Sequence, residues 1–101
     1  MKIDLEKLEI SHNPGENRFE TWIEGQLSKL DYMLNAETII MTHVGVYPAH
    51  REQGVAGRLT QVALEYAKEK SLRVIPMCPY IATYIRRNPQ YVELTSQERS
   101  E

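Results

Sequence analysis

Cysteine is nearly absent from this chain: of 101 residues one, Cys78, carries a thiol. A lone cysteine closes no intramolecular disulfide, which suits a reducing compartment. Long apolar runs are missing as well, none approaching the about 20 residues that span a bilayer. The N-terminal stretch MKIDLEKLEI carries a charge every second or third residue, which excludes the apolar core of a secretory signal and predicts a cytoplasmic protein. Nor is there an excess of one charge. A net charge of −2 gives no general attraction to a polyphosphate, so no nucleic acid and no membrane is expected as a partner. No grouping of histidine, cysteine and carboxylate has ligand spacing, so no metal is expected. Repeats and low-complexity tracts are lacking too. What remains, 42% hydrophobic and 26% charged, is the composition of one small globular domain. We place that domain at residues 1–94, expect a monomer, and expect the polar tail TSQERSE, 95–101, to fray.

The pattern along the chain changes once. In RFETWIEG (18–25), Phe19, Thr21 and Ile23 alternate with Glu20 and Trp22, and Glu24-Gly25 follows as a hairpin turn. QLSKLDYML reads as the returning strand, with Leu30, Tyr32 and Leu34 on one face. Asn35-Ala36-Glu37 turns the chain again, into TIIMTHVGV (38–46), dense in β-branched residues. These make an antiparallel meander of three strands, four if KLEISH pairs at the edge. From Gly54 the apolar residues Val55, Leu59, Val62, Ala63 and Tyr66 recur at helical steps to about Lys70. LRVIP (72–76) is a strand, and Pro79 opens a second helix that Asn88-Pro89 ends. Strand, helix, strand at this length implies a parallel pair, so the predicted class is α+β: a mixed, mostly antiparallel sheet with a β-α-β-α C-terminal half. Ile81, Ile85 and Val92 are expected in the core, with Met33, Met41 and Met77 as filler.

The chemistry concentrates in PAHREQGVAGRL. Arg51-x-x-Gly54-x-Ala56 sets small residues immediately before a helix, where unpaired N–H groups and the helix dipole favour a phosphate. Arg51 and Arg58 can add charge-assisted hydrogen bonds. The plainer reading is a glycine-rich helix start with no ligand. The lysine and hydroxyl of a Walker A loop are missing, and the spacing is not that of a dinucleotide fingerprint.

The run R-x-x-G-x-A, between the strongest strand and an amphipathic helix, resembles motif A of the GNAT superfamily of acyl-CoA N-acyltransferases. The wider string MTHVGVYPAHREQGVAGRL…LRVIPMCPYIATYIRRNPQY is similar to a small single-domain branch with a C-P-[FY]-[VI]-x-x-[FY] segment, over residues 9 to 94. The resemblance implies a strand splayed from its parallel neighbour, with acetyl-CoA in the opening. The pantetheine arm would pair with Val44 and Val46. The pyrophosphate would lie on the amides of Gln53, Gly54, Val55, Ala56, Gly57 and Arg58. It also implies a tyrosine on the last helix as the acid that protonates the departing thiolate; alignment gives Tyr84, with Tyr80 close enough to compete.

Where the branch carries an acidic residue on the strand before motif A, this chain has His43-Val44-Gly45-Val46. Either His43 is the base, or a water chain does that work and His43 is an ordinary strand histidine. His50 reads as a loop or phosphate-side residue, and His12 supports no argument. Cys78, next to Pro79, is placed as the N-cap of the last helix. Helix N–H groups there favour a thiolate, which could take an acetyl group and pass it on, or Cys78 simply fills space. The implied activity is transfer of acetyl from acetyl-CoA to an unidentified amine, directly or through Cys78. A short Glu24-Gly25 turn stands where larger relatives place two helices, so the acceptor side is open and could admit a protein or peptide amine. The alternatives are a CoA-binding or partner-binding module without efficient turnover, and a plain structural domain.

Overall fold

The computed structural model describes residues 2–96. Five strands form one sheet in the order β1 (Ser11–Asn13), β2 (Arg18–Ile23), β3 (Gln26–Asn35), β4 (Thr38–Gly45), β5 (Arg73–Pro76). The first four are antiparallel to their neighbours, and β4 and β5 are parallel. Two α-helices complete it, α1 (Val55–Glu69) between β4 and β5 and α2 (Pro79–Arg87) after β5. This is the α+β mixed sheet that the strand and helix periods imply. The edge strand pairs at 11–13, overlapping only the last two residues of KLEISH.

Local chemistry sets each boundary. Glu24 and Gly25 both take positive φ, 50° and 79°, as a two-residue hairpin between right-twisted strands requires. Phe19, Thr21 and Ile23 are buried on the helix side, while Trp22 is 59% exposed on the other. α1 ends in a Schellman turn: Leu72 N–H bonds the carbonyl of Ala67 at 2.9 Å and Ser71 N–H that of Lys68 at 3.2 Å. The turn delivers the chain to β5, whose Arg73 N–H reaches the Glu37 carbonyl at 2.9 Å. Asn88 closes α2 by donating from Nδ2 to the Tyr84 carbonyl at 2.8 Å, and Pro89 prevents continuation.

The core lies between the sheet and α1. Leu30, Ile39, Met41, Leu59, Ala63, Leu64, Ala67 and Ile81 have no exposed surface. Three apolar residues expected inside are not: Met33, Met77 and Val92 are 55%, 65% and 47% exposed. Leu34, on the core face of β3 but at the hairpin end, is 50% exposed. Met33 lies on the opposite face of the sheet from Leu30 and Tyr32, and Met77 follows β5 where the strand has ended. Past Pro89 the chain runs as a 3-10 helix, Pro89–Thr95, and buries Tyr91 in place of Val92. Thr95 belongs to that 3-10 segment; residues 97–101 of the expected tail lie outside the described residues.

The decisive irregularity is in β4. Tyr32 pairs with Met41 but Asp31 pairs with His43, so one step on β3 matches two on β4 and Thr42 is the extra residue of a bulge. The bulge reverses the facing. Before it Ile39 and Met41 point to the core; after it Val44, opposite Leu30, does. At the same point β5 stops: its last partner is Met41, whose carbonyl receives both Met77 N–H (3.0 Å) and Cys78 N–H (3.1 Å). From Thr42 on, β4 has no parallel neighbour among the described residues.

Candidate functional site

The opening between the end of β4 and α2 is a groove of about 770 Å³, a size suited to a small ligand. Its walls are the end of β4 (His43 to Val46), the loop through Pro48 to Glu52, the first turn of α1, and Tyr80 of α2. Cations dominate its lining, with Lys29 and Arg51 against Glu52, and two histidines, His43 and His50, add donors or acceptors.

The loop is shaped by its backbone. Glu52 and Gly54 take positive φ, 64° and 90°, and Gly54 is the N-cap of α1 with no side chain capping the helix. The first amides of α1, at Val55, Ala56 and Gly57, thus face the groove without an intrahelical acceptor. Arg58 differs: its amide already donates to the Gly54 carbonyl at 3.0 Å and its guanidinium to Gln61 at 3.0 Å. The Gln53 side chain turns away, its Oε1 accepting the Ile3 amide at 2.8 Å. Behind the loop Leu5 fills the space a Cβ on Gly54 would enter, at 2.7 Å. The N-terminal segment therefore braces the loop from the side opposite the groove. Arg51 bonds the Val46 carbonyl through Nε at 3.2 Å, an exposed contact that uses one of the five guanidinium donors.

A family model described as GCN5-related N-acetyltransferase matches residues 18–94, more than three-quarters of the chain. The chain belongs to that family. Curated relatives of this GCN5-related protein include Protein NATD1 of chicken (Gallus gallus) and of human (Homo sapiens), each 29% identical over 91 residues. The alignments cover 85% of this chain and 83% and 80% of the relatives. The Xenopus tropicalis NATD1 is 26% identical over 91 residues, covering 85% and 84%. A solution NMR structure of a Staphylococcus aureus protein described as GCN5-like shares the fold, with a TM-score of 0.71 at 24% identity over 93% of this chain and 94% of that one. Members of the family generally use acetyl-CoA and an acceptor, and family and fold together support an acetyltransferase-like function.

Within this GCN5-related frame the expected site residues separate. His43, Val44, Val46, Arg51, Gly54, Val55, Ala56 and Gly57 line the groove. Tyr80 lines it too, whereas Tyr84 stands one turn further along α2, between Tyr80 and Tyr91 with ring centroids 6.4 Å from each. Burial pushes the Tyr80 phenol up, against Arg87, so it keeps its proton through neutrality. Cys78 is the N-cap of α2 as expected, but it is only 7% exposed, packs in the core and is not part of the groove lining. His50 is 3% exposed, its ring 5.3 Å from that of Tyr47.

His43 and Gly45 face away from the core, opposite Asp31 and Lys29 of β3. The imidazole lies over Gly45, where an added Cβ would come within 2.9 Å of its Cε1. The His43 Nδ1 is 3.8 Å from Asp31 Oδ2, the oxygen that Lys29 Nζ contacts at 2.5 Å. Asp31 and Lys29 were not legible as site residues, because their partners depend on the Thr42 bulge. His12, silent in the sequence, stacks on Phe19 at 4.4 Å and contacts the Tyr32 hydroxyl at 2.6 Å through Nε2. Among the described residues no group of three histidines, cysteines or carboxylates can hold a metal ion, and no helix is long and apolar enough to cross a membrane.

Proposed function

We propose that this protein transfers acetyl from acetyl-CoA directly to a primary amine presented at the open mouth of the groove. The observation that carries the reading is the Thr42 bulge. It ends the β4–β5 pairing just where the uncapped start of α1 comes alongside, so strand edge and amide cradle share one groove. The residues fit the cofactor: free amides at Val55, Ala56 and Gly57 with Arg51 suit a pyrophosphate, and the backbone of Val44 and Val46 suits the amides of a pantetheine arm. Bound there, acetyl-CoA supplies an activated acyl group, whose C–S bond breaks as the acceptor's N–C bond forms.

The chain's own groups handle the protons. His43, through the ring nitrogen left free, takes the proton from the attacking amine. Tyr80 gives its phenolic proton to the departing thiolate and is the better placed of the two tyrosines. A route through Cys78 finds little support, since the thiol is buried in the core. The tight Glu24-Gly25 turn leaves the acceptor side uncovered, which favours an amine on a peptide or protein. We place the protein in the cytoplasm as a monomer.

The test is titration of acetyl-CoA into ¹⁵N-labelled protein. Amide shifts at Val44, Val46 and Gly54 to Gly57 are expected, with CoA release once a lysine peptide is added. Unmoved amides at saturating acetyl-CoA would overturn the reading. Shifts and heat stabilisation without CoA release on any amine would replace it with a CoA-binding module.

A further inference from the structure

Resting on the reading of His43 as the base, we infer that Asp31 is its positioning residue, fixing the tautomer that leaves a lone pair on Nε2 for the acceptor amine. Three observations converge on this pair. The bulge at Thr42 brings Asp31 directly opposite His43 in the β3–β4 register; with regular pairing Asp31 would face Thr42. Directly opposed residues stand close enough for side chains to meet. Second, the ring nitrogen turned to Asp31 is Nδ1, at 3.8 Å from Oδ2. That is longer than a hydrogen bond, and loose spacing is usual for such pairs before substrate closes the site. Third, Gly45 has no Cβ to lift the imidazole, which lies over its backbone. Any side chain at 45 would push the ring aside.

The physics is that of a carboxylate fixing an imidazole. An ionised Asp31 only accepts, so the nitrogen facing it must carry the proton. Nδ1–H then points at the carboxylate, and Nε2 keeps the lone pair. His43 lines the groove, so that lone pair is available there. Lys29, on the same Oδ2, holds the carboxylate in place. An amide at 31 can instead donate to Nδ1, which puts the proton on Nε2 and removes the base.

The experiment reads the ring directly and needs no acceptor. ¹⁵N-histidine-labelled protein is examined at a pH where His43 is neutral, by ring ¹⁵N–¹H correlation, with and without acetyl-CoA. The expected result is the Nδ1–H pattern in the native protein, its loss to Nε2–H in Asp31→Asn, and its return in Asp31→Glu. A native ring that is Nε2–H, or one unchanged by Asp31→Asn, would overturn the positioning. Acetyl-CoA amide shifts at Gly54 to Gly57, recorded on the same samples, report separately on the cofactor reading. If those shifts are missing while His43 keeps Nδ1–H, the transfer reading falls and the pair stands. If they are present while Asp31→Asn leaves the ring unchanged, the reverse holds.

Discussion

Gly57 on α1 lies under the phenol of Tyr80 on α2: a Cβ built on Gly57 would sit 3.4 Å from the Tyr80 hydroxyl and 3.7 Å from Cε2 of Tyr84. One methyl fits in ordinary contact, and a second does not. Gly57→Ala should therefore stabilise the fold by about 0.5–1 kcal/mol, the usual difference between alanine and glycine within a helix. Gly57→Val should displace Tyr80, cost about 1–3 kcal/mol by overpacking, and remove most of the heat stabilisation by acetyl-CoA. Urea denaturation and thermal melts with and without acetyl-CoA check both. A Val variant that responds to acetyl-CoA as the native protein does would show that the groove does not need this close approach.

The Schellman turn that ends α1 has a serine where glycine is usual. Ser71 holds φ 58° with Leu72 N–H on the Ala67 carbonyl and its own N–H on that of Lys68. A left-handed conformation costs an L-residue about 1–2 kcal/mol that glycine escapes. Ser71→Gly should stabilise the protein by about 1 kcal/mol, with acetyl-CoA affinity unchanged because the turn is at the far end of α1 from the cradle. Denaturant midpoints and a titration measure the two effects.

His12 should make stability depend on pH. Burial, with Lys70 adding to it, holds its imidazole below the ordinary value of 6.5. The unfolded chain then binds a proton more readily than the folded one, so this contribution is fully present above about 6.5 and is lost as pH falls through the folded value. His12→Phe keeps a ring against Phe19 and removes the titrating group. Its melting temperature should change less between pH 7 and pH 5 than that of the native protein. At pH 7 it should be less stable by about 1–3 kcal/mol, because the buried Tyr32 hydroxyl loses its partner.

The hydroxyl of Tyr91 gives the alkaline counterpart. It donates to Glu65 Oε2 at 2.6 Å across to α1, and burial first, then Glu65, raises its pKa far above the ordinary 10. A raised value means stability present below about 10 and lost as pH climbs beyond it toward the folded value. Tyr91→Phe should cost about 1.5–3 kcal/mol at neutral pH, as expected for a hydrogen bond to a charged group, and should flatten the alkaline decline. Melts from pH 7 to pH 11 test the sign.

Periodicity carried the fold because each element follows a local rule. Alternation at Phe19, Thr21 and Ile23 and the helical step from Val55 to Ala63 each place one buried face, and both faces are where the periods put them. The failures share a cause. Met33, Met77 and Val92 were judged by side-chain type, but Met33 falls on the sheet face opposite the core, and Met77 and Val92 lie just past the ends of β5 and α2. The site divides the same way. The small residues of the cradle are contiguous, so Gly54 to Gly57 could be read from the chain. The Asp31–His43 pair depends on one extra residue in β4, and no local signal at Thr42 announces a bulge. Leu5 and Gln53 clamp the N-terminus to the loop over about fifty positions of chain, beyond the reach of any periodicity.

The two tyrosines of α2 are separable by one measurement. Tyr80 lines the groove, and Tyr84 is withdrawn between Tyr80 and Tyr91. A general acid that protonates a leaving group contributes about 10²-fold or more to turnover. Tyr80→Phe should then lower kcat for CoA release with a lysine peptide by about that factor while KM stays within about twofold. Tyr84→Phe should leave kcat near the native value, because its hydroxyl has no place in the groove. Cys78→Ala bears on the same step from the other side. A buried thiol outside the groove takes no acetyl group, so mass spectrometry after incubation with acetyl-CoA should find Cys78 unmodified and the alanine variant's kcat intact. If Tyr84→Phe were the crippled variant, α2 would have to shift by about one turn along its axis on binding, and the direct-transfer geometry drawn from Tyr80 would be wrong.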